Sequence, residues 1–292
     1  MAAWSDGYWW SNDGLRLHYR DYEGDPSRPP IICIPGLTRN ARDFEGVAAR
    51  LAPEWRVICV ELRGRGDSAY AKDPMTYVPL TYLQDLEALL RELKPERFIL
   101  FGTSLGGLLT MLLALQHRDQ IAAALLNDIG PEIDPRGLER IRSYVGRSQS
   151  FPTWLHAARY FGEAQRGIYP GWTLDDWLVH AKRLCKLSPG GRVVLDYDMR
   201  IAEPFRVPGG DTGFDPWAAF QGLGGVPLLV VRGQRSDVLS AETLAAMQAV
   251  MPQMRSVVLP DEGHAPTLDE PPVRAAIAKL LSGLETGPSI AA

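Results

Sequence analysis

Cysteine is scarce in this 292-residue chain: Cys33, Cys59 and Cys185 are the three, and no two form a C-x-x-C pair. An odd set at such spacings excludes a disulfide framework as the source of stability and fits a reduced, cytoplasmic protein. No stretch approaches about 18 consecutive apolar residues. The opening Met1-Ala2-Ala3-Trp4-Ser5-Asp6 has no basic region leading into an apolar run, so neither a membrane span nor a secretory leader is expected. An excess of one charge is missing as well. With 31 Lys+Arg against 35 Asp+Glu the formal net charge is -4, too mild to make nucleic acid or an anionic membrane the main partner. A small-molecule substrate is the default, and oligomer formation stays open. There is no H-E-x-x-H and no cluster of Cys and His at metal-ligand spacing, and glycine-rich Gly209-Gly210-Asp211-Thr212-Gly213 lacks a Walker lysine. No metal and no cofactor are therefore expected.

What the chain does have is an alternation of short apolar runs with helical patterns. Two strands around Tyr8-Trp10 and Leu15-Asp21 are joined at Asn12-Asp13-Gly14, where Asp-Gly supplies hairpin turn residues. Runs at Ile31-Ile34, Arg56-Leu62, Arg97-Phe101, Ala122-Asn127, Pro227-Arg232 and Ser256-Leu259 mostly lack polar alternation, the mark of parallel strands covered on both faces. Helical patterns at Arg42-Leu51, Leu83-Leu93, Leu105-Leu115, Ala241-Met251 and Pro272 to Leu284 fall between or after them. The fold class is α/β, with a mostly parallel doubly wound sheet. From Pro131 to Asp215 the alternation stops. That stretch is rich in arginine and aromatic residues and reads as a helical insertion without convincing strands, bounded by Gly130-Pro131 and Val207-Pro208-Gly209-Gly210. It divides the chain into core 1-130, cap 131-215 and core 216-292, with Gly287 to Ala292 as a frayed tail.

The chemistry begins at Gly102-Thr103-Ser104-Leu105-Gly106, set between an apolar strand and an apolar helix. A serine on so tight a turn presents its hydroxyl at the helix N-terminus, whose free N–H groups stabilise a developing oxyanion. The hydroxyl needs a base, and the base needs an acid to fix its tautomer. Of five histidines, His264 follows a strand through Pro260-Asp261-Glu262-Gly263, at the carboxyl end of the sheet. His18, His117, His156 and His180 read as structural or exposed. Asp237, just past the strand Pro227-Arg232, is the preferred acid; Asp128, following Ala122-Asn127, is the rival. Arg65-Gly66-Asp67 reads as a turn.

Together with Ile34-Pro35-Gly36-Leu37, Leu62 to Ser68, Gly233 to Asp237 and Gly263-His264, these residues resemble the α/β-hydrolase family over essentially the whole chain. The resemblance implies an α/β-hydrolase fold, a helical cap inserted after the sixth strand as a lid, and an oxyanion hole built from the amides of Leu37 and Leu105. Pro35 stands where many relatives have histidine, and Glu61 where aspartate is usual. Serine at 104 argues against the carboxylate-ester chemistry of haloalkane dehalogenases and epoxide hydrolases. The expected enzyme is a serine carboxylic-ester hydrolase (EC 3.1.1 type) acting on esters or lactones of small, largely apolar molecules. Carbon–carbon bond hydrolysis or enol-lactonase activity in aromatic degradation is the alternative, and a non-catalytic ligand receptor a third. Trp154, Trp172 and Trp177 are candidates for the pocket or for the cap's own core, and Arg39 and Asn40 for contact with a polar substrate group or for a solvated helix start.

Overall fold

The computed structural model describes residues 3–206 and 214–285. The insertion boundary at Val207-Pro208-Gly209-Gly210, the run Gly209–Gly213 and the tail Gly287–Ala292 lie outside the described residues.

The strands of the main sheet are β1 (Ser5–Trp10), β2 (Arg16–Tyr22), β3 (Ile31–Ile34), β4 (Val57–Glu61), β5 (Phe98–Thr103), β6 (Ile121–Asn127), β10 (Leu228–Gly233) and β11 (Arg255–Leu259). They lie in the order β1-β2-β4-β3-β5-β6-β10-β11. β1 and β2 pair antiparallel at one edge, and the other six run parallel. The side-chain period of two divides the parallel strands between two cores. Ile32, Ile58, Leu100, Leu126 and Val230 face one core; Ile31, Cys33, Cys59, Phe101, Leu125 and Val231 face the other. This two-sided burial is why these strands lack polar alternation. All three cysteines are buried and free.

Helices cover both faces. α2 (Pro79–Leu93), α3 (Leu105–His117), α7 (Pro216–Gln221) and α8 (Ala241–Val250) pack on the first, and α1 (Glu45–Leu51) and α9 (Pro271–Glu285) on the second. α3 buries Gly106, Gly107 and Leu109 through Ala114 because it is covered by both the sheet and neighbouring helices. The hairpin turn is tied down by an ion-pair cluster. Arg63 donates to both carboxylate oxygens of Asp85 (2.7 Å each) and of Asp13 (2.9 Å each). Arg63 and Asp85 are each only 1% exposed, so Asp85 without Arg63 would be an uncompensated buried charge, whereas Arg63 without Asp85 would keep only the half-exposed Asp13.

Between β6 and α7 lie α4 (Pro135–Tyr144), α5 (Trp154–Gln165) and α6 (Leu174–Leu184), and with them three strands the sequence did not betray: β7 (Ser150–Phe151), β8 (Cys185–Leu187) and β9 (Val193–Leu195). They form a small antiparallel sheet in the order β7-β9-β8. At two or three residues each, these strands are shorter than any alternation pattern needs to register. No helix of the described residues is long and apolar enough to cross a membrane.

Candidate active site

Ser104 sits at the turn from β5 into α3 with φ 52° and ψ -117°, a region that costs a non-glycine residue about 1–3 kcal/mol. The neighbouring glycines explain how the turn fits. A Cβ on Gly102 would collide with the Gly106 carbonyl, and one on Gly106 with the Ile34 carbonyl of β3. The Ser104 N–H donates to the Asn127 carbonyl at the end of β6, 3.0 Å away.

His264 follows β11 and reaches back over the sheet. Its Nε2 lies 2.9 Å from Ser104 Oγ and its Nδ1 2.7 Å from Asp128 Oδ2. Asp128 is fully buried and accepts two more hydrogen bonds, from Ser236 Oγ (2.5 Å) and from the Gly233 N–H (2.9 Å). A carboxylate held from three sides fixes the imidazole with one nitrogen toward the serine, the arrangement that general-base activation requires. The expectation that Asp237 backs His264 is thus corrected: Asp128 takes that place. Asp237 instead receives a two-pronged ion pair from Arg140 of α4, Nε at 2.5 Å and Nη2 at 2.8 Å. Burial works to raise the Asp237 carboxyl, but the Arg140 bond and charge outweigh it and hold the pKa below the ordinary value. Sheet order gives the reason. β6 lies between β5 and β10, so the residue leaving β6 is beside the nucleophile turn, whereas Asp237 lies four residues beyond the end of β10. Its neighbour Ser236 points inward to Asp128 while Asp237 turns toward the insertion.

The loop after β3 flanks the serine. A Cβ on Gly36 would lie 3.6 Å from Ser104 Cβ, and the next carbonyl, that of Leu37, accepts from Arg65 Nε (2.8 Å) and Nη2 (2.6 Å). Arg65 is itself fully buried beneath Tyr82. Neither the Leu37 N–H nor the Leu105 N–H, which opens α3, is bonded to an acceptor among the described residues, so both are available to an oxyanion. Glu61, longer than the aspartate usual at its position, accepts from the Ala41 N–H (3.3 Å) and the Asp67 N–H (2.6 Å). Its carboxylate also lies 2.9 Å from His18 Nδ1. Among the described residues His18, Glu61 and Asp67 are also the grouping that could hold a metal ion, but the ring nitrogens of His18 are already taken by Glu61 and Asp6.

Ser104 and His264 open onto a cavity of about 440 Å³ whose far wall comes from the insertion. Of the candidate pocket residues, Arg39 and Trp172 line it. Trp154 and Trp177 do not, which corrects the pocket reading in favour of the cap-core one: they pack in the insertion's own core with Phe151, Phe161 and Tyr169. Asn40 is neither solvated nor at the cavity. It is fully buried, accepts from the Arg42 N–H and donates to the Arg183 carbonyl, 3.0 Å away. Among the cavity residues that sequence reasoning missed are Arg140, Arg147, His180 and Arg183; the arginine richness of the insertion was the only signal of the three arginines, and His180 had none.

Two residues before His264, burial first and the nearby Glu270 charge second push Glu262 up to about 7. Between its unfolded pKa of about 4.3 and 7 the native state holds a proton that the unfolded chain has released, so the stability Glu262 contributes falls as pH rises through that window. Glu262→Gln is expected to melt above the wild type at pH 8 and to lose that advantage at pH 5, measured by calorimetry. A gap that widens toward low pH would contradict the assignment. For the acid itself, Asp128→Asn is expected to lower kcat/KM on an activated ester by about 10³–10⁴-fold, through the wrong imidazole tautomer. Asp237→Asn is expected to lower it by no more than about tenfold; the reverse order would restore Asp237 to the histidine.

Comparison with known proteins identifies the family. The model of the alpha/beta hydrolase family matches residues 31–277. A 3-hydroxybutyrate-oligomer hydrolase of Cupriavidus necator is 35% identical over 92% of this chain and 93% of its own. A 2-(acetamidomethylene)succinate hydrolase of Mesorhizobium japonicum is 28% identical over 82% of each. The crystal structure of an alpha/beta hydrolase from Novosphingobium aromaticivorans superposes with a TM-score of 0.93 at 60% identity, covering 97% of this chain and 99% of that one. The match of sequence and of fold extends across core and insertion alike, and the chain belongs to the α/β-hydrolase family.

Proposed function

We propose that the protein is a serine carboxylic-ester hydrolase working through an acyl-enzyme. One observation carries the reading: Ser104 Oγ, His264 and the buried Asp128 form a continuous hydrogen-bonded relay at the floor of a cavity, with the N-terminus of α3 beside it. Ser104 Oγ attacks the ester carbonyl as His264 Nε2 takes its proton. The carbonyl oxygen becomes an oxyanion held by the Leu37 and Leu105 amides. On collapse the C–O bond to the alcohol breaks, and His264 returns the proton to the departing oxygen. Water then gives a proton to His264 and attacks the acyl carbon. The carboxylic acid leaves and the proton goes back to Ser104.

The 3-hydroxybutyrate-oligomer hydrolase similarity supports an ester within a short hydroxyacid chain as the natural bond. Replacing Ser104 by alanine removes the atom on which the acyl group would be carried. Ser104→Ala is expected to abolish p-nitrophenyl acetate turnover, a loss of about 10⁶-fold in kcat, with an unchanged circular-dichroism spectrum and melting temperature. Near-normal turnover by the folded variant would refute the mechanism.

A further inference from the structure

The cavity wall opposite the serine holds polar atoms that nothing among the described residues satisfies. His180 and Arg183 lie three residues apart on α6, so they share one face of the helix, and both line the cavity. His180 Nε2 and Arg183 Nε are enclosed yet have no hydrogen-bond partner among the described residues. Arg183 reaches a carboxylate only loosely: Asp269 is 3.7 Å away and already bonded to Arg50 at 2.7 Å. Arg39 approaches from the core side, beside Gly36 and hence beside Ser104: a Cβ on Gly36 would sit 3.3 Å from Arg39 Cγ. Its Nε and Nη2 are bonded to Asp43 at 2.6 Å, and Nη1 makes no hydrogen bond to the described residues.

Two guanidiniums therefore face one carboxylate of their own and a share of a second. An enclosed donor without an acceptor costs about 1–3 kcal/mol, and two on one helix face, inside a cavity with surplus positive charge, call for an anionic acceptor from outside. Burial, then the charges of Arg39 and Arg183, keep His180 well below its ordinary pKa. Held neutral, it adds no charge of its own, and with the proton on Nε2 it has an N–H to give. Planar, two-oxygen geometry suits guanidinium forks.

We propose that Arg39, His180 and Arg183 form a subsite for a substrate carboxylate, so that the preferred substrates are esters carrying a free carboxylate at one end. This rests on the ester-hydrolase reading and sharpens the expectation of a largely apolar substrate. The hydrocarbon part would lie against the aromatic wall formed by Phe161, Tyr169 and Trp172, while the charged end is held away from the scissile bond.

The test compares the linear dimer of 3-hydroxybutyrate with its terminal carboxamide, which keeps the scissile ester and removes only the charge. Release of 3-hydroxybutyrate by the wild type is expected to favour the acid by about ten- to a hundredfold in kcat/KM. Arg183→Gln and His180→Phe are expected to shrink that ratio at least several-fold. Calorimetric binding of the same two compounds to Ser104→Ala supplies a readout independent of turnover, with the acid again binding tighter. Equal cleavage of acid and amide by the wild type, equal binding of both, or binding of neither would overturn the subsite while leaving the hydrolase reading intact. Selective binding of the acid without any cleavage would sustain the subsite and sink the hydrolase reading. A variant that loses activity on both compounds in the same proportion counts against the assignment to that residue.

Discussion

The hydrogen bond from the Ser104 N–H to the Asn127 carbonyl joins the nucleophile turn to the end of the neighbouring strand, and much of the site follows from it. With β5 and β6 locked in parallel register up to Thr103 and Asn127, the residue after Asn127 must emerge beside the serine. That residue is Asp128, itself in a left-handed conformation with φ 57°. Two strained positions next to each other persist because the surrounding backbone over-determines them. Ser104 cannot relax without breaking the approach of Gly102 to α3 and of Gly106 to β3, and Asp128 is pinned by His264, Ser236 and the Gly233 amide. Strain and preorganisation are here the same feature.

Around that centre buried and half-buried charges act as clamps. Arg65 grips the Leu37 carbonyl and so orients the peptide whose neighbour is a candidate oxyanion donor. The Arg140–Asp237 pair ties α4 to the loop after β10, and Arg42 ties the segment after β3 to Asp196 and the Arg183 carbonyl. The insertion is thus bound to the core on two sides of the cavity by ion pairs rather than by apolar packing alone. Such pairs fix geometry more than they add stability.

The parallel strands, the nucleophile turn and the position of His264 were legible in the sequence because each leaves a local mark: a run of apolar residues, a pentapeptide at a strand end, a Gly-His after another. The acid was not, because Asp128 and Asp237 both follow strands and both satisfy the chain order Ser, Asp, His. What separates them is which strand lies next to β5, a property of sheet order that no local pattern encodes. In the insertion the short strands β7 to β9 are too brief to show a period. The tryptophans there divide between core and cavity by helix rotation and loop path, so Trp172 meets the cavity while Trp154 and Trp177 do not. His180 and Arg183 acquire meaning only when α6 is seen to face Arg39 across the space above Ser104.

The central claim is that Ser104 carries the covalent intermediate, its hydroxyl activated by His264. Peptide mapping by mass spectrometry after brief exposure of the native protein to a fluorophosphonate reads this directly, since the reagent phosphonylates only a serine whose proton is removed by an adjacent base. The account predicts one adduct per chain, on the peptide containing Ser104. An adduct elsewhere, or none in a preparation that turns over esters, would contradict it.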